Sequence, residues 1–577
     1  MTYSAMSAPV VKLQSWRAWL VLGALVALFL LLIGRATYLM GYKEEFLREQ
    51  GNARFTRRLT QEANRGMITD RNGDPLAIST PVQSIWASPS DMEPLSARQL
   101  ADLARNLELP VEEVRRKLAD KNREFVFLRR QMPPDKAQRV LALGIPGISK
   151  QAEYRRYYPT GEVTAHIIGF TGIDNKGQEG FELTREAMLA GKAGSRQVIR
   201  DRRGYIVEDI ASIEKPRDGQ TLTLSIDSKI QYLAYRELKK AVDDHKAKGG
   251  GIVVLDARTG EVLALANMPS FNPNNREKLD PASRRNRALT DTYEPGSTMK
   301  PFTVSAALET GTVNPLSMVD TGNGSYAIGP NIIHDTHPHG RITVEQVIQM
   351  SSNIGTSKLQ LGMEREHLWQ FYDSLGFGQQ PRSGFPGEAT GRLRPWKNWV
   401  PIDQATMSYG HGISVSLLQI ARAYQIFAGD GVVRPISFQR LVAPLPGKQI
   451  LKPETAQAMR KMLEMVTQPG GTALKARVVG YRVGGKTGTA YKPEAGGYNL
   501  SKYVGSFVGI APMSDPHLIV AVMIDEPSNG KHLGGDVAAP VFSAVVAGSL
   551  RMLGVPPDAP QNLPLPDDVA AAVKEEM

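Results

Sequence analysis

The sequence predicts a membrane-anchored α+β protein, and three observations carry that reading. Residues 18–34, AWLVLGALVALFLLLIG, hold no charge. From residue 216 on, apolar β-branched runs and helix-period runs follow in the order strand, helix, hairpin, helices, strands, which suits a largely antiparallel sheet with helices packed on it. The chain has 577 residues, 42% hydrophobic and 22% charged, enough for several domains and at least one large core.

Composition also excludes. No cysteine is present, so a disulfide framework, a thiol nucleophile and a cysteine metal site are ruled out; this fits an oxidising compartment. The net charge of +11 permits an acidic polymer or anionic lipid as partner. No lysine- or arginine-dense block or nucleic-acid motif accompanies it, so nucleic acid is not expected.

The elements follow in order. Residues 1–17 read as a short cytoplasmic tail and 18–40 as a transmembrane helix, since about 20 apolar residues cross a bilayer. Trp16, Trp19, Tyr38 and Tyr42 lie at its edges, as interfacial aromatics do. No small-x-small cleavage site follows, which favours a retained anchor. Residues 41–215 read as a mixed α+β pedestal. Residues 41–62 are charged and helix-prone, Asn72-Gly73 marks a hairpin, residues 90–145 look helical, and DRRGYIVEDI (201–210) repeats a strand–turn–strand pattern. Residues 216–555 form the second domain. In it, 252–268 is a hairpin around Arg258-Thr259-Gly260, 341–376, 401–430 and 452–466 are helical, and YRVGGKTGTA and 506–528 are strands. The proline-rich residues 556–577 read as a disordered tail.

One stretch, DTYEPGSTMKPFTVS (291–305), concentrates chemistry. Ser297 and Lys300 share one helix face a turn apart, and an unprotonated lysine can take a serine's proton. The S-x-x-K spacing occurs three times, at Ser212–Lys215, Ser297–Lys300 and Ser528–Lys531, and only the second opens an apolar helical run. Spacing alone leaves open a helix cap with a surface lysine. Two companions change the weight: Ser351-Ser352-Asn353 in MSSNIG, and Lys486-Thr487-Gly488-Thr489, where K-T-G occurs once in the chain. Taken singly, Ser351 could cap a helix and Lys486 could sit on an exposed strand edge. Jointly and in this order, the three elements form one acyl-transfer site in penicillin-binding proteins and class A β-lactamases. His334, His337 and His339 in HDTHPHG lack supporting carboxylate spacing and read as a solvated loop. Asp256 and Glu261 flank a turn that they stabilise.

On these motifs, with RGMITDRNGDPLA (65–77), RRYYPTGEVTAH (155–166), FNPNN (271–275), YGHGISVSLLQIARAY (409–424) and GGDVAAPVF (534–542), the chain resembles the class B penicillin-binding proteins. These are membrane-anchored peptidoglycan D,D-transpeptidases; the likeness is narrower still to the division-specific FtsI (penicillin-binding protein 3) type of Gram-negative bacteria. The departures are Met299 where valine is common and K-T-G where K-S-G is common. The resemblance implies a β-lactamase-like transpeptidase fold over 216–555 and a non-catalytic, dimerisation-type pedestal. It implies Ser297 as nucleophile, neutral Lys300 as its base and Ser351 as proton relay. Asn353 would hold Lys300 and the substrate amide; Lys486, Thr487, Gly488 and Thr489 would bind the terminal carboxylate; the N–H groups of Ser297 and Thr489 would form the oxyanion hole. No cofactor or metal is implied. Implied partners are peptidoglycan stem peptides, lipid-linked glycan strands, β-lactams, the glycosyltransferase FtsW and the divisome proteins FtsQ, FtsL, FtsB and FtsN, with the catalytic domain periplasmic at the septal inner membrane. A bifunctional class A enzyme would need a glycosyltransferase domain that this pedestal is too short to hold. A β-lactamase or sensor would not need the pedestal, and an elongation-specific class B enzyme is the nearest rival. A scaffold that activates a membrane glycosyltransferase is the non-enzymatic alternative.

Overall fold

The computed structural model describes residues 15–43, 56–200, 206–277, 279–494 and 496–559. The first fourteen residues of the expected tail, the turn at 201–205 and the proline-rich stretch from 560 on lie outside them. Helix α1 (Ser15–Thr37) begins three residues before the expected span and passes into a π-helical turn, Tyr38–Tyr42. The apolar helix Ser15–Gly41 is 27 residues long, about 40 Å at 1.5 Å per residue, against a hydrocarbon core of roughly 30 Å. Its leucines and Phe29 are exposed all round, which a single-pass membrane anchor accounts for.

Two compact units follow, and the chain alternates between them. The smaller holds residues up to 63, 82–153 and 192–217. Its helices Ala97–Leu107, Val111–Leu118 and Pro134–Leu141 bury Leu100, Leu103, Leu107, Val114 and Val140 in one core. Ser96 and Gln99 close a reciprocal capping box at the first of them. The helical reading of 90–145 needs a correction: Val126–Met132 is a strand, and its Leu128 is buried in the same core. Likewise, within the helix-prone stretch 41–62, Thr56–Gln61 is a strand, while 44–55 lie outside the described residues. It pairs antiparallel with Gly194–Arg200, which pairs with Ile206–Glu214. Strand pairing at a distance in sequence overrides local propensity here.

The larger unit holds 64–81, 154–191 and 218 onward. The expected hairpin at Asn72-Gly73 is present, with Gly73 at φ +95; Asp70 Oδ1 accepts from the N–H of Asn72 and Asp74 at 2.8 and 2.9 Å. Helix α2 (Ser228–Asp244), capped by Asp227, leads to strands β1 (Gly249–Asp256) and β2 (Val262–Met268). Later come α3 (Lys300–Glu309), α4 (Val344–Met350), α5 (Asn353–Leu361) and α6 (Leu417–Ala423). Strands β3 (Gly484–Glu494), β4 (Gly497–Ala511) and β5 (Leu518–Asp525) precede α7 (Ala539–Met552). The sheet order is β2-β1-β5-β4-β3, antiparallel throughout, so β3 is an edge.

Antiparallel strands usually alternate apolar and polar residues, yet β2 and β5 are buried at every position and β1 at all but its last. Two neighbouring glycines give the reason. A Cβ on Gly250 would meet Leu238 and Val242, at the end of α2, and one on Gly251 would meet Leu417 of α6. Successive residues point to opposite faces, so helices cover both faces and both must be apolar.

Candidate active site

The nucleophile candidate sits on a tight turn that feeds a buried helix. Gly296–Met299 is a 3₁₀ turn continuous with α3. Thr298 Oγ1 donates to the Pro295 carbonyl at 2.8 Å, and Tyr424 Oη donates to the Thr298 carbonyl at 2.9 Å. Phe302 anchors α3 in an aromatic cluster with Phe427, Tyr424 and Phe377 at centroid distances of 5.1, 5.3 and 5.6 Å. Ser297 is 4% exposed and Lys300 fully buried, so Lys300 is no surface lysine. Gly296 takes φ +55, a conformation that favours glycine, and packs tightly against β3: its Cβ would lie 3.1 Å from the Thr489 carbonyl.

The second element is the corner between α4 and α5. Ser352, not Ser351, is the helix cap: its Oγ accepts from Gly355 N at 2.8 Å. Ser351 takes a left-handed conformation, φ +64, and is buried. Asp335 fixes this corner. Its Oδ1 accepts from the N–H of Asn353 and Ile354 at 2.7 and 3.0 Å, and Oδ2 accepts from Ser352 Oγ at 2.5 Å. Asn353 Nδ2 donates to the His334 carbonyl at 3.2 Å. The loop of three histidines thus serves the site through Asp335 and a main-chain carbonyl, while His334 and His337 themselves are exposed.

The third element lies on edge strand β3. Lys486 is fully buried, which removes the reading of an exposed strand-edge lysine. Thr487 Oγ1 lies 3.0 Å from Thr472 Oγ1, and Thr489 Oγ1 accepts from Gly534 N at 3.0 Å. Gly488 packs the strand against the serine turn: a Cβ there would fall 2.6 Å from Ser506 Oγ and 2.7 Å from the Pro295 carbonyl.

The three elements meet at one oxygen. Ser351 Oγ accepts from Lys300 Nζ at 3.1 Å and from Lys486 Nζ at 2.8 Å; Lys300 Nζ also donates to the Ser351 carbonyl. A hydroxyl has two acceptor lone pairs and one donor. With both lone pairs engaged by amines, the Ser351 proton is directed at a third atom, as a proton relay requires.

A cavity of about 750 Å³ is lined by Glu294, three residues before Ser297, by Ala490, next to Thr489, and by His411, Tyr498 and Arg394 among others. Glu294 Oε1 accepts from Gly412 N at 2.9 Å, and Tyr498 Oη donates to Oε2 at 2.9 Å. His411 Nδ1 is 3.6 Å from Oε2. Burial raises the Glu294 pKa against these donors. Burial, with the Lys300 charge adding to it, pushes His411 down to about 4, so the imidazole is neutral at pH 7. The sequence reading passed over Glu294, His411, Tyr498 and Asp335. Glu294 stood three residues before Ser297, but no local pattern links it to the other three. Glu261, read as a turn residue, does more: its Oε1 accepts from Leu441 N at 2.8 Å, and Oε2 faces Arg71 at 3.6 Å.

The chain is similar to known proteins over nearly its whole length. A family model described as the penicillin binding protein transpeptidase domain matches residues 250–547, and one described as the penicillin-binding protein dimerisation domain matches 60–224. A probable peptidoglycan D,D-transpeptidase, PenA, of Neisseria gonorrhoeae is 46% identical over 96% of this chain and 94% of its own length. PbpC of Pseudomonas aeruginosa, of the same description, is 42% identical over 96% and 98%. The peptidoglycan D,D-transpeptidase FtsI of Escherichia coli is 40% identical over 94% and 93%. The solved transpeptidase domain of penicillin-binding protein 3 from Burkholderia pseudomallei is 51% identical and covers 58% of this chain and 97% of its own, with a TM-score of 0.54. With the dimerisation and transpeptidase models following each other after an apolar N-terminal helix, the chain belongs to the penicillin-binding protein transpeptidases of class B architecture, a serine-type acyltransferase family.

Proposed function

We propose that the chain is a peptidoglycan D,D-transpeptidase that works through a Ser297 acyl-enzyme and serves the division septum. The observation that carries the chemistry is the single hydroxyl, Ser351 Oγ, bonded by Lys300 and Lys486 from the two other motifs. Ser297 Oγ attacks the carbonyl between the two terminal D-alanines and gives its proton to Lys300, which acts in its neutral form. The N–H groups of Ser297 and Thr489 hold the oxyanion, a term whose loss costs about 10²–10³-fold in comparable enzymes. Lys300 returns the proton through Ser351 to the departing D-alanine as the C–N bond breaks. Lys486, Thr487 and Thr489 bind the substrate's terminal carboxylate, with Gly488 keeping the strand close to the turn, and Asn353 orients the substrate amide. An amine from a second stem peptide then resolves the ester as a cross-link. β-Lactams acylate Ser297 as mimics of the D-alanyl pair.

The direct test incubates the full chain in detergent with a labelled penicillin and measures intact mass. One adduct on Ser297, absent from Ser297→Ala, is the expected result; an adduct elsewhere, or none, rejects the assignment.

The division role draws on the FtsI relative. On this reading the protein works in the inner membrane at the septum, beside a membrane glycosyltransferase such as FtsW and the proteins FtsQ, FtsL, FtsB and FtsN. Depletion of the protein with Ser297→Ala supplied in trans separates the roles. Filaments with the variant still at the septum are expected; normal division assigns the essential role to scaffolding, and rounded cells assign the enzyme to elongation.

A further inference from the structure

We propose that Glu294 and His411 form the receiving site for the second stem peptide: Glu294 binds its ammonium group and takes its proton before attack on the acyl-enzyme. The inference rests on the acyl-enzyme reading above and adds the half of the reaction that the three motifs leave unassigned.

The geometry places the pair beside the nucleophile. Glu294 lies on the turn that leads into Ser297. His411 follows Gly410, whose missing Cβ would fall 2.2 Å from the Gly296 carbonyl oxygen, so the two backbones touch. Ala490, on the cavity wall, follows Thr489 of the carboxylate-binding strand. The cavity wall therefore holds chain neighbours of both Ser297 and Thr489.

Its charges are unequally matched. Arg394 is bonded to Asp403 at 2.8 Å, and Lys492 to Asp525 and Glu526 at 2.6 and 2.8 Å. Two of the three wall cations therefore have carboxylates of their own, the third being Arg392. Glu294, with its side chain 11% exposed, is held by neutral donors: the Gly412 N–H, the Tyr498 hydroxyl and, across 3.6 Å, the His411 ring. A largely desolvated carboxylate without a bonded cation favours the entry of one. The acyl-enzyme needs an amine, and at neutral pH an alkylamine arrives as a cation. It must lose a proton to become a nucleophile. The buried Glu294 carboxylate, with the His411 ring 3.6 Å from its Oε2, is the group placed to take that proton.

The step balances. One ammonium proton passes to the Glu294 carboxylate. The free amine nitrogen forms a C–N bond at the acyl carbon, the ester C–O bond to Ser297 breaks, and a second amine proton returns to Ser297 Oγ. The amide nitrogen keeps the third.

The test uses the full chain in detergent with a D-alanyl thioester as acyl donor and two competing acceptors. One is a stem tripeptide with a free lysine ε-ammonium; the other is hydroxylamine, uncharged at pH 7. Amide and hydroxamate are counted by mass spectrometry. Glu294→Gln is expected to lower the amide-to-hydroxamate ratio about tenfold or more, the loss of one charge-assisted bond, and Glu294→Asp to restore part of it. An equal fall in both products marks Glu294 as structural and overturns the proposal, as does an unchanged ratio. If Glu294→Gln no longer takes up penicillin, His411→Gln, which leaves the carboxylate in place, is read by the same ratio. A wild-type chain without a penicillin adduct condemns the acyl-enzyme reading; an adduct with an unchanged ratio condemns only the acceptor site.

Discussion

His166 shows how one buried side chain sets a pH dependence. It lies in the larger unit, 7% exposed, with Nε2 2.8 Å from the Ser283 carbonyl. That contact needs the N–H tautomer, and burial, its largest cause, pushes the pKa down to about 4. In the unfolded chain a histidine titrates near 6.5. Between these values the unfolded state binds the proton and the folded state does not, so stability is present above pH 6.5 and is lost as pH falls toward 4. The loss is of order 3 kcal/mol across that window. Melting temperatures from pH 7 to pH 4 should fall more steeply in wild type than in His166→Gln, which keeps an N–H donor without a titrating group. Parallel curves would remove His166 from the account. At the reaction centre, Ser351→Ala removes the oxygen that two buried amines share; penicillin acylation, followed by stopped flow, is expected to slow about 10²-fold or more.

Packing between elements decides whether the motifs meet. Strand β3 and the serine turn touch through Gly488, which has no space for a methyl group, and through Gly296, whose Cβ would lie 3.1 Å from the Thr489 carbonyl. Gly488→Ala must push β3 from the turn by several tenths of an ångström. Acylation should fall at least tenfold, since positioning is steep in distance; an unchanged rate would mean the turn yields freely. Phe302→Ala removes the ring at the centre of the aromatic cluster under Ser297. Its expected effect is a loss of roughly 3–5 kcal/mol in urea unfolding, from a cavity that three fixed rings cannot close.

Across the larger unit, a buried ion cluster joins segments far apart in the chain. Glu182, fully buried, accepts from Arg65 Nε and Arg156 Nε, each at 2.6 Å. Arg156 Nη2 also donates to the Gly66 carbonyl at 2.8 Å. Two buried guanidinium groups depend on one carboxylate, so Glu182→Gln strands charge in a dry interior. Urea unfolding should report a loss of roughly 3–5 kcal/mol, with penicillin acylation intact in the protein that remains folded. The cluster joins segments 64–81 and 154–191 to each other, and both group with the C-terminal part of the chain, a grouping no linear cut near residue 215 contains.

Legible in the sequence by itself were the apolar N-terminal helix, the two hairpins, the antiparallel sheet with its helices, and the three motif strings that hold Ser297, Lys300, Ser351, Asn353 and Lys486–Thr489. Each is written in local periodicity, in a turn dipeptide, or in a rare short string whose order can be read directly. Strands Thr56–Gln61 and Val126–Met132 were not legible, because their charged residues mask a strand pattern that pairing stabilises from elsewhere. The tertiary structure alone decided that one hydroxyl joins both lysines, that Asp335 holds the Ser352–Asn353 corner, and that Glu294, His411 and Tyr498 line one cavity. Convergence of single polar residues from separate elements leaves no period in the chain; only the packing of sheet, turn and helix brings them within hydrogen-bond reach.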